Sequence, residues 1–490
     1  MKYDVIIIGS GAGGSAAAYQ LVQSGARVLL LEKGTQLPRD GSTLNPDTVM
    51  RRGAFLSDEP WCDNQGRTVV PEEHFNLGGK TKWYGAALLR MSPHEFLADS
   101  AHQCPAWPIT YDDLAPYYAQ AETLLGVRTF APEADLQAIV AGLRRMDPRW
   151  QRMPMPLGLS ADILSDPQEA RHYDAFASVK GMKSDGEKNF LDRVRQKPNL
   201  QIVTGKAVTS LLPHADMPTR LAGVMCADGA RYEANTVLLA AGTLHSPRLL
   251  QCYMESTGLA ARLPAYDNVG RNYKCHILTA MMVFSHRAVH DVLCKTLLML
   301  SDAFPHSSVQ TLGGNLAEVI VGMQVPRFLP GWVGRPIAKR AYGLFLQTED
   351  GTHRDNRVVS ATEGERPLLD YQATRLSPAQ AEHQNLVRTL SRQMLRLGYL
   401  PVSKSIPITG TAHACGTLAA GVDPKHSVTN PDGRVHGMEN LYVVDGSVFV
   451  RSSRVNPALT IYAWGLRVAA NLGKEDQHGR RITSIDTVRA

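Results

Sequence analysis

The chain has 490 residues, of which 44% are hydrophobic, 20% charged and 7% aromatic, with 41 glycines and 29 prolines spread along it. At roughly 150 residues per domain this describes a globular protein of two or three domains, which excludes disorder, collagen-like repeats and a single compact barrel. The 52 basic and 46 acidic residues leave a net charge of +6, with no run of five like charges to concentrate it, so a nucleic-acid binder is not indicated.

The first 34 residues announce a nucleotide. Asp4 to Ile8 is a short β-branched run suited to a strand buried on both faces, and Gly9, Gly11 and Gly14 follow it at GxGxxG spacing. A helical pattern from Ser15 to Ser24 is stopped by Gly25, and a second apolar strand from Arg27 ends at Glu32. In such a βαβ unit Gly9 permits the tight turn, Gly11 lets backbone approach a pyrophosphate at the helix N-terminus, and Gly14 allows close helix-to-strand packing. Glu32 would accept hydrogen bonds from an adenosine ribose. Because no second fingerprint occurs, only one dinucleotide has an obvious home, FAD and NAD both being open at this point.

Asn76 to Gly85 is a glycine-punctuated loop around Gly78-Gly79, with the composition of a backbone that approaches a ligand closely. Thr110 to Asp113 reads as a capping box for a helix over 114–125, closed by Gly126. Between about 130 and 195 the chain is polar and proline-interrupted, with short helical stretches. Strands are expected over 201–205, 206–212 and 236–241, short strands and loops over 275–375, and a helix near 378–397. The last 85 residues return to strand-glycine-helix style, as a nucleotide domain assembled from separated segments would.

Two C-terminal segments could carry chemistry. His413 stands among small residues, and Asn456-Pro457 opens an apolar helix running to Ala470, with Asn456 suited to the N-cap and Pro457 to N1. The partial positive charge of that helix N-terminus suits the negative charge of a reduced flavin. The seven cysteines come no closer than 19 residues, so no zinc-type or CxxC spacing exists and no metal is expected. Such scattered cysteines suit a reducing cytosol. With no signal-peptide pattern and no run near the roughly 18 apolar residues of a membrane span, an unexported, cytoplasmic protein is expected.

These motifs together resemble the glucose-methanol-choline (GMC) flavoprotein oxidoreductases over nearly the whole chain. The resemblance rests on Gly9 to Gly14 with Glu32, the Gly78-Gly79 loop, Gly242 to Leu250, Asn268 to His276, His413 to Thr417, Asp423-Pro424, Arg434 to Ser447, and Asn456 to Ile461. Trp107 to Tyr118 looks most like the bacterial sugar and polyol dehydrogenase branch, which also resembles pyranose oxidases. The resemblance implies an α/β fold: a Rossmann-like FAD-binding domain in segments 1–105, 196–274 and 405–490, with an inserted α+β substrate domain, 106–195 and 275–404, built on an antiparallel sheet. It implies oxidation of a primary or secondary alcohol, such as a sugar or polyol, with electrons passing to oxygen or a diffusible quinone-like acceptor.

His413 matches the family's active-site histidine and Asn456 its partner. The expected cofactor contacts are Gly9, Gly11, Ala12, Gly14, Glu32, Lys33, Gly78, Gly79, Thr81, Val208, Ala241, Gly242, Asp445, Gly446, Asn456, Pro457 and Ala458. His245, His276, His426 and His436 are expected to be structural, and Cys415 a packing residue. Relatives that link FAD covalently do so through a histidine at the place of Trp83, so FAD is expected to be non-covalent. No cysteine between Asp162 and Asn189 provides an iron-sulfur relay. Two alternatives stand beside this reading: a non-redox lyase that retains FAD, and a peripheral membrane flavoprotein that passes electrons to quinone and is anchored through the basic, apolar segment Val325 to Arg340. Prolines in that segment argue for a loop at the substrate entrance instead.

Overall fold

The computed structural model describes residues 2–324, 331–361, 365–410 and 413–485. Part of the segment Val325 to Arg340, and Thr411-Ala412 before His413, lie outside the described residues.

The β-branched N-terminal run forms strand Tyr3–Ile8, which pairs in parallel with Val28–Leu31 on one side and with Arg231–Leu239 on the other. Leu200–Val203 and Leu441–Val443 extend the parallel set, so five strands from three distant stretches share one sheet. The apolar side chains of the inner strands Tyr3–Ile8 and Val28–Leu31 and of Leu441–Val443 are buried, as continuous apolar strands covered on both faces must be, while those of the edge strand Leu200–Val203 are partly buried. Val208–His214 and Met217–Cys226 complete the sheet as an antiparallel hairpin. Helices Ala12–Gln23 and Ala458–Ile485 cross each other on it, Gly465 lying so close to Gly13 that a Cβ there would meet the Gly13 carbonyl oxygen at 2.6 Å. Helix Tyr111–Leu125 carries the expected capping box at Thr110 and a left-handed Gly126 cap. Its buried face joins this same core, although it falls within segment 106–195 of the sequence reading.

The second body is a six-stranded antiparallel sheet in the order Leu400–Ser405, Ile277–Phe284, Ala341–Thr348, Ser307–Thr311, Leu297–Ser301, Trp150–Pro154. The polar stretch after residue 130, read from sequence as short helices, also supplies the edge strand Trp150–Pro154 and so ties both inserted segments into one sheet. Helices Ala134–Met146 and Ser377–Arg396 cover one face, where Met281, Val283, Val309, Leu344 and Leu346 meet Leu136, Ile139, Leu386 and Leu390. Because side chains alternate along a strand, Ser308, Gln310, Phe345 and Gln347 point to the opposite face. That face looks onto the parallel sheet's domain. Among the described residues no helix is long and apolar enough to cross a membrane.

Candidate active site

A cavity of about 740 Å³ runs from the carboxyl ends of the parallel strands to the uncovered face of the antiparallel sheet. Its size falls within the range of cofactor pockets, roughly 300–1,000 Å³, and its position is where ligands bind in open α/β sheets. At one end lie Gly9, Ser10, Gly11, Ala12, Glu32, Lys33, Val208, Ala241 and Gly242; at the other lie Gln310, Phe345, His413 and Asn456. Gly79, Thr81, Asp445, Gly446, Pro457 and Ala458 line the middle. Two helix N-termini, at Ala12 and Ala458, therefore open onto one space.

The glycine fingerprint has a specific geometry. Gly9 has φ +103°, and a Cβ there would press on the Ala240 carbonyl; at Gly14 one would meet the Gly9 oxygen at 2.0 Å. Gly13, which the sequence reading passed over, is pinned against the Val444 oxygen at 1.7 Å from an added Cβ. Gly11 alone of the four faces open space, with no protein atom within 4 Å of such a Cβ. Room for a pyrophosphate at the N-terminus of Ala12–Gln23 is thus built into the chain. Glu32 is buried and accepts from the backbone N–H and Oγ of Ser10 and from the Gly34 N–H. Burial raises its pKa above the usual carboxylate value. Asp445 likewise accepts from the Gly242 N–H, the Ser246 hydroxyl and the Ser447 N–H, which ties together two loops that carry cavity residues.

Two expected cofactor contacts do not line the cavity. Gly14 is spent on helix packing, and Gly78, at φ +88°, takes a turn whose N–H donates to Ser10 Oγ, leaving its neighbour Gly79 at the cavity wall. Asn456 is a further correction. It does not cap the C-terminal helix, whose first internal bond runs from the Ile461 N–H to the Pro457 oxygen. Its side chain turns into the cavity instead: Oδ1 accepts from Gln310 Nε2, and Nδ2 lies 3.3 Å from His413 Nε2.

His413 has an edge-to-face contact with His276 at 4.9 Å between centroids, and its Nδ1 is buried without a partner. Burial, then His276 and the ammonium groups of Lys295 and Lys80, hold its pKa well below 6.5. A neutral imidazole results. His276 itself donates from Nε2 to the Ser453 carbonyl oxygen, and His436 bonds Ser427 and the Gly421 oxygen, as structural histidines do; His245, paired with Glu59, also lines the cavity. Cys415 is fully buried and its thiol is pushed upward, chiefly by that burial, so it is no thiolate nucleophile. Trp83 lines the cavity, stacked on His74 at 4.6 Å, with its indole N–H on Asn76 Oδ1.

Sequence reasoning missed what holds Asn456 in place. The preceding loop is lashed down by buried carboxylates. Arg451 pairs bidentately with Glu349 at 2.6 and 2.7 Å, the Ser453 N–H donates to Glu349, Ser452 Oγ donates to Asp350, and Ser453 Oγ and the Arg454 N–H donate to Glu95. Ser308 Oγ and Gln347 Nε2 both donate to the Arg454 oxygen. The antiparallel sheet therefore sets the position of a residue belonging to the other domain. Glu349 also approaches Cys104 and His306 as a metal triad might, but Arg451 holds both its oxygens and His306 bridges it to Asp99. Although burial alone would raise the Glu349 pKa, those hydrogen bonds lower it. Arg451→Leu is expected to destabilise the protein by about 3–5 kcal/mol, because it strands a buried carboxylate. A urea midpoint unchanged from wild type would contradict this.

Comparison with known proteins agrees with this geometry. The "FAD dependent oxidoreductase" family matches residues 4–265, more than half the chain, and the residues it spans include the open glycine cradle. The protein is an FAD-dependent oxidoreductase. The "GMC oxidoreductase" C-terminal family matches residues 378–465, the stretch that carries His413 and Asn456. The chain belongs to the GMC oxidoreductases. Relatives include the paromamine 6'-oxidase of Streptomyces fradiae, 27% identical across 95% of this chain and 90% of that one. The 6'''-hydroxyparomomycin C oxidase of Streptomyces lividus is 29% identical with the same coverage. The crystal structure of pyridoxine 4-oxidase from Mesorbium loti shares the fold, with a TM-score of 0.72, 18% identity and coverage of 97% of this chain and 99% of that one.

Proposed function

We propose that the protein oxidises a primary or secondary alcohol, of sugar, polyol or related hydroxyl type, with His413 as general base and Asn456 as its hydrogen-bonding partner. The observation that carries this reading is the pairing of a neutral, half-buried imidazole with a fixed carboxamide at one end of the cofactor cavity. Bound in that cavity, FAD supplies the acceptor for the hydride that leaves the carbinol carbon.

The chain's own residues handle the oxygen and its proton. The 3.3 Å separation between Asn456 Nδ2 and His413 Nε2 is a long hydrogen bond, short enough for one substrate hydroxyl beside the pair to reach both nitrogens. There the hydroxyl donates its proton to Nε2 and accepts the Asn456 N–H on its oxygen, so the charge that develops on that oxygen meets a donor already in place. Cofactor contacts fall to Gly9, Gly11, Ala12, Glu32, Lys33, Gly79, Thr81, Val208, Ala241, Gly242, Gly446, Pro457 and Ala458, all of them at the cavity wall. Tryptophan at position 83 offers no ring nitrogen for a covalent link of the histidyl kind, which supports dissociable FAD. Seven unpaired cysteines support a reducing, cytoplasmic setting.

Anaerobic mixing of the yellow protein with a panel that includes paromamine, pyridoxine, sugars and polyols tests the proposal. Bleaching of the flavin absorbance by at least one alcohol is expected, and reoxidation by oxygen compared with a quinone dye identifies the acceptor. No bleaching across the panel would favour the lyase reading. The depressed pKa of His413 has a consequence for pH. The base is already deprotonated at pH 6.5 and loses that form only well below it, so the rate constant of flavin reduction should stay level from pH 8 down through 6.5. A stopped-flow profile that falls with a midpoint near 6.5 would remove His413 from the role.

A further inference from the structure

A charged pair stands in the cavity wall. Lys295 Nζ donates to Asp174 Oδ2 at 2.9 Å, and the same oxygen accepts the Gly313 N–H at 2.7 Å. Both charged heads lie against Gly85, where a Cβ would come within 2.4 Å of Lys295 Nζ and 2.5 Å of Asp174 Oδ1. Gly85 is not among the glycines of positive φ, so space rather than backbone conformation calls for glycine there. All three residues line the cavity, and 7% of the Lys295 side chain and 10% of that of Asp174 stay exposed. Lys183 fixes the arrangement: its buried ammonium donates to the carbonyl oxygens of Tyr84, Tyr173 and Phe176, which ties the residue before Gly85 to both sides of Asp174. In the same turn Ala175 takes φ +67°, a strain that persists only where the surroundings over-determine it.

An ion pair out of water adds little stability over well-packed apolar residues, so the fold does not call for this one. Its hydrogen-bonding capacity is also unspent. Among the described residues Lys295 uses one of its three N–H donors, and Asp174 Oδ1 accepts nothing. Gln310 Oε1 is sealed without a partner, whereas Asp174 Oδ1 keeps accessible surface. Ala175 and Leu312, which adjoin Asp174 and Gly313 along the chain, present apolar side chains to the same cavity. The pair stands toward the reacting end, because the Lys295 charge bears on His413.

We propose that Asp174 and Lys295 are specificity-determining residues that bind substrate hydroxyls other than the reacting one, the carboxylate accepting and the ammonium donating, so that the site selects polyhydroxylated compounds over alkyl alcohols. This deepens the reading of the cavity as a site of alcohol oxidation and rests on it. A hydroxyl both donates and accepts, and so suits a donor and an acceptor set side by side. A substrate carboxylate would meet the like charge of Asp174, and a substrate ammonium that of Lys295. An alkyl chain would take water from both groups and return no hydrogen bond.

Xylitol and 1,5-pentanediol, which share a carbon chain with a carbinol at each end and differ in the internal hydroxyls, serve as probes. Anaerobic titration of the oxidised holoenzyme is followed by perturbation of the flavin absorbance or, where a probe reduces the flavin, by the concentration dependence of the reduction rate. Wild type is expected to bind xylitol at least roughly tenfold more tightly than 1,5-pentanediol. The double variant Asp174→Asn with Lys295→Met removes both charges together and keeps an acceptor for the Gly313 N–H. It should bring the ratio close to unity with FAD content unchanged. Lys295→Gln alone, which keeps a donor toward Asp174, should lower the ratio about threefold or more and serves if the double variant does not fold. Equal affinity of wild type for the two probes, or no response to xylitol, overturns the proposal. So does a wild-type ratio in a folded variant, and so does a loss of affinity for both probes alike, which would make the pair structural. Loss of FAD from both variants assigns the pair to the cofactor and also overturns it. Turnover failing across the whole alcohol panel, with the binding ratio intact, would instead count against the function proposed above.

Discussion

His413→Ala is expected to slow flavin reduction by about 10²-fold to 10⁴-fold, the usual worth of a positioned general base, while FAD stays bound. The loss is confined to chemistry because among the described residues the imidazole makes one hydrogen bond, at 3.3 Å to Asn456, and its Nδ1 makes none. Its removal leaves the glycine cradle untouched, as that cradle stands on Gly9 to Gly14 and the strand ends at the far side of the cavity. It also leaves Asn456 anchored through Gln310. The measurement is the limiting reduction rate in anaerobic stopped flow, beside the FAD-to-protein ratio. A variant that reduces its flavin at the wild-type rate would mean that the proton goes elsewhere, with His276, 4.9 Å away ring to ring, the nearest other imidazole.

Gly11→Val is expected to yield a folded, colourless protein. A side chain at Gly9, Gly13 or Gly14 would collide with backbone at 2.4 Å or less, whereas one at Gly11 meets nothing within 4 Å. The backbone there, φ −62° and ψ −166°, is one that valine adopts without strain. The substitution therefore costs the fold little and fills the space into which a pyrophosphate must come. Gly13→Val, with its Cβ driven onto the Val444 carbonyl, serves as the contrast and should fail to fold. Circular dichroism with the visible spectrum separates the two outcomes. If Gly11→Val retained full FAD occupancy, the cradle would not hold the pyrophosphate.

Much of the cofactor half of the molecule was legible along the chain. Tyr3 to Leu31 carries strand, glycines, helix and second strand within local reach, and each residue type follows from a local demand: β-branched residues for a doubly covered strand, glycines where backbones touch. Boundaries shifted by a few residues, most at the C-terminal helix, which runs to Ile485 where the apolar pattern suggested Ala470. Asn456 lines the cavity and does not sit at the helix N-cap its residue type favours. Propensity for the N-cap is a local preference, and two tertiary hydrogen bonds outweigh it.

The substrate half resisted for a physical reason. Ser307-Ser-Val-Gln-Thr311 is polar yet buried on both faces, a pattern that makes no sense until its partners are known. Glu95, Glu349 and Asp350 look like ordinary surface charges in the sequence. They are buried because residues about 100 to 360 positions away, Arg451, Ser452 and Ser453, supply their hydrogen bonds.

By itself, then, the order of residues determined the nucleotide fold, the glycine cradle and the two side chains on which the chemistry is proposed to turn, since each is encoded by neighbours in the chain. Only the tertiary structure decided which way the Asn456 amide faces and what holds its loop. Those depend on hydrogen bonds across a sheet that the chain assembles from strands up to 255 residues apart, between Trp150 and Ser405, and no local pattern records such pairings.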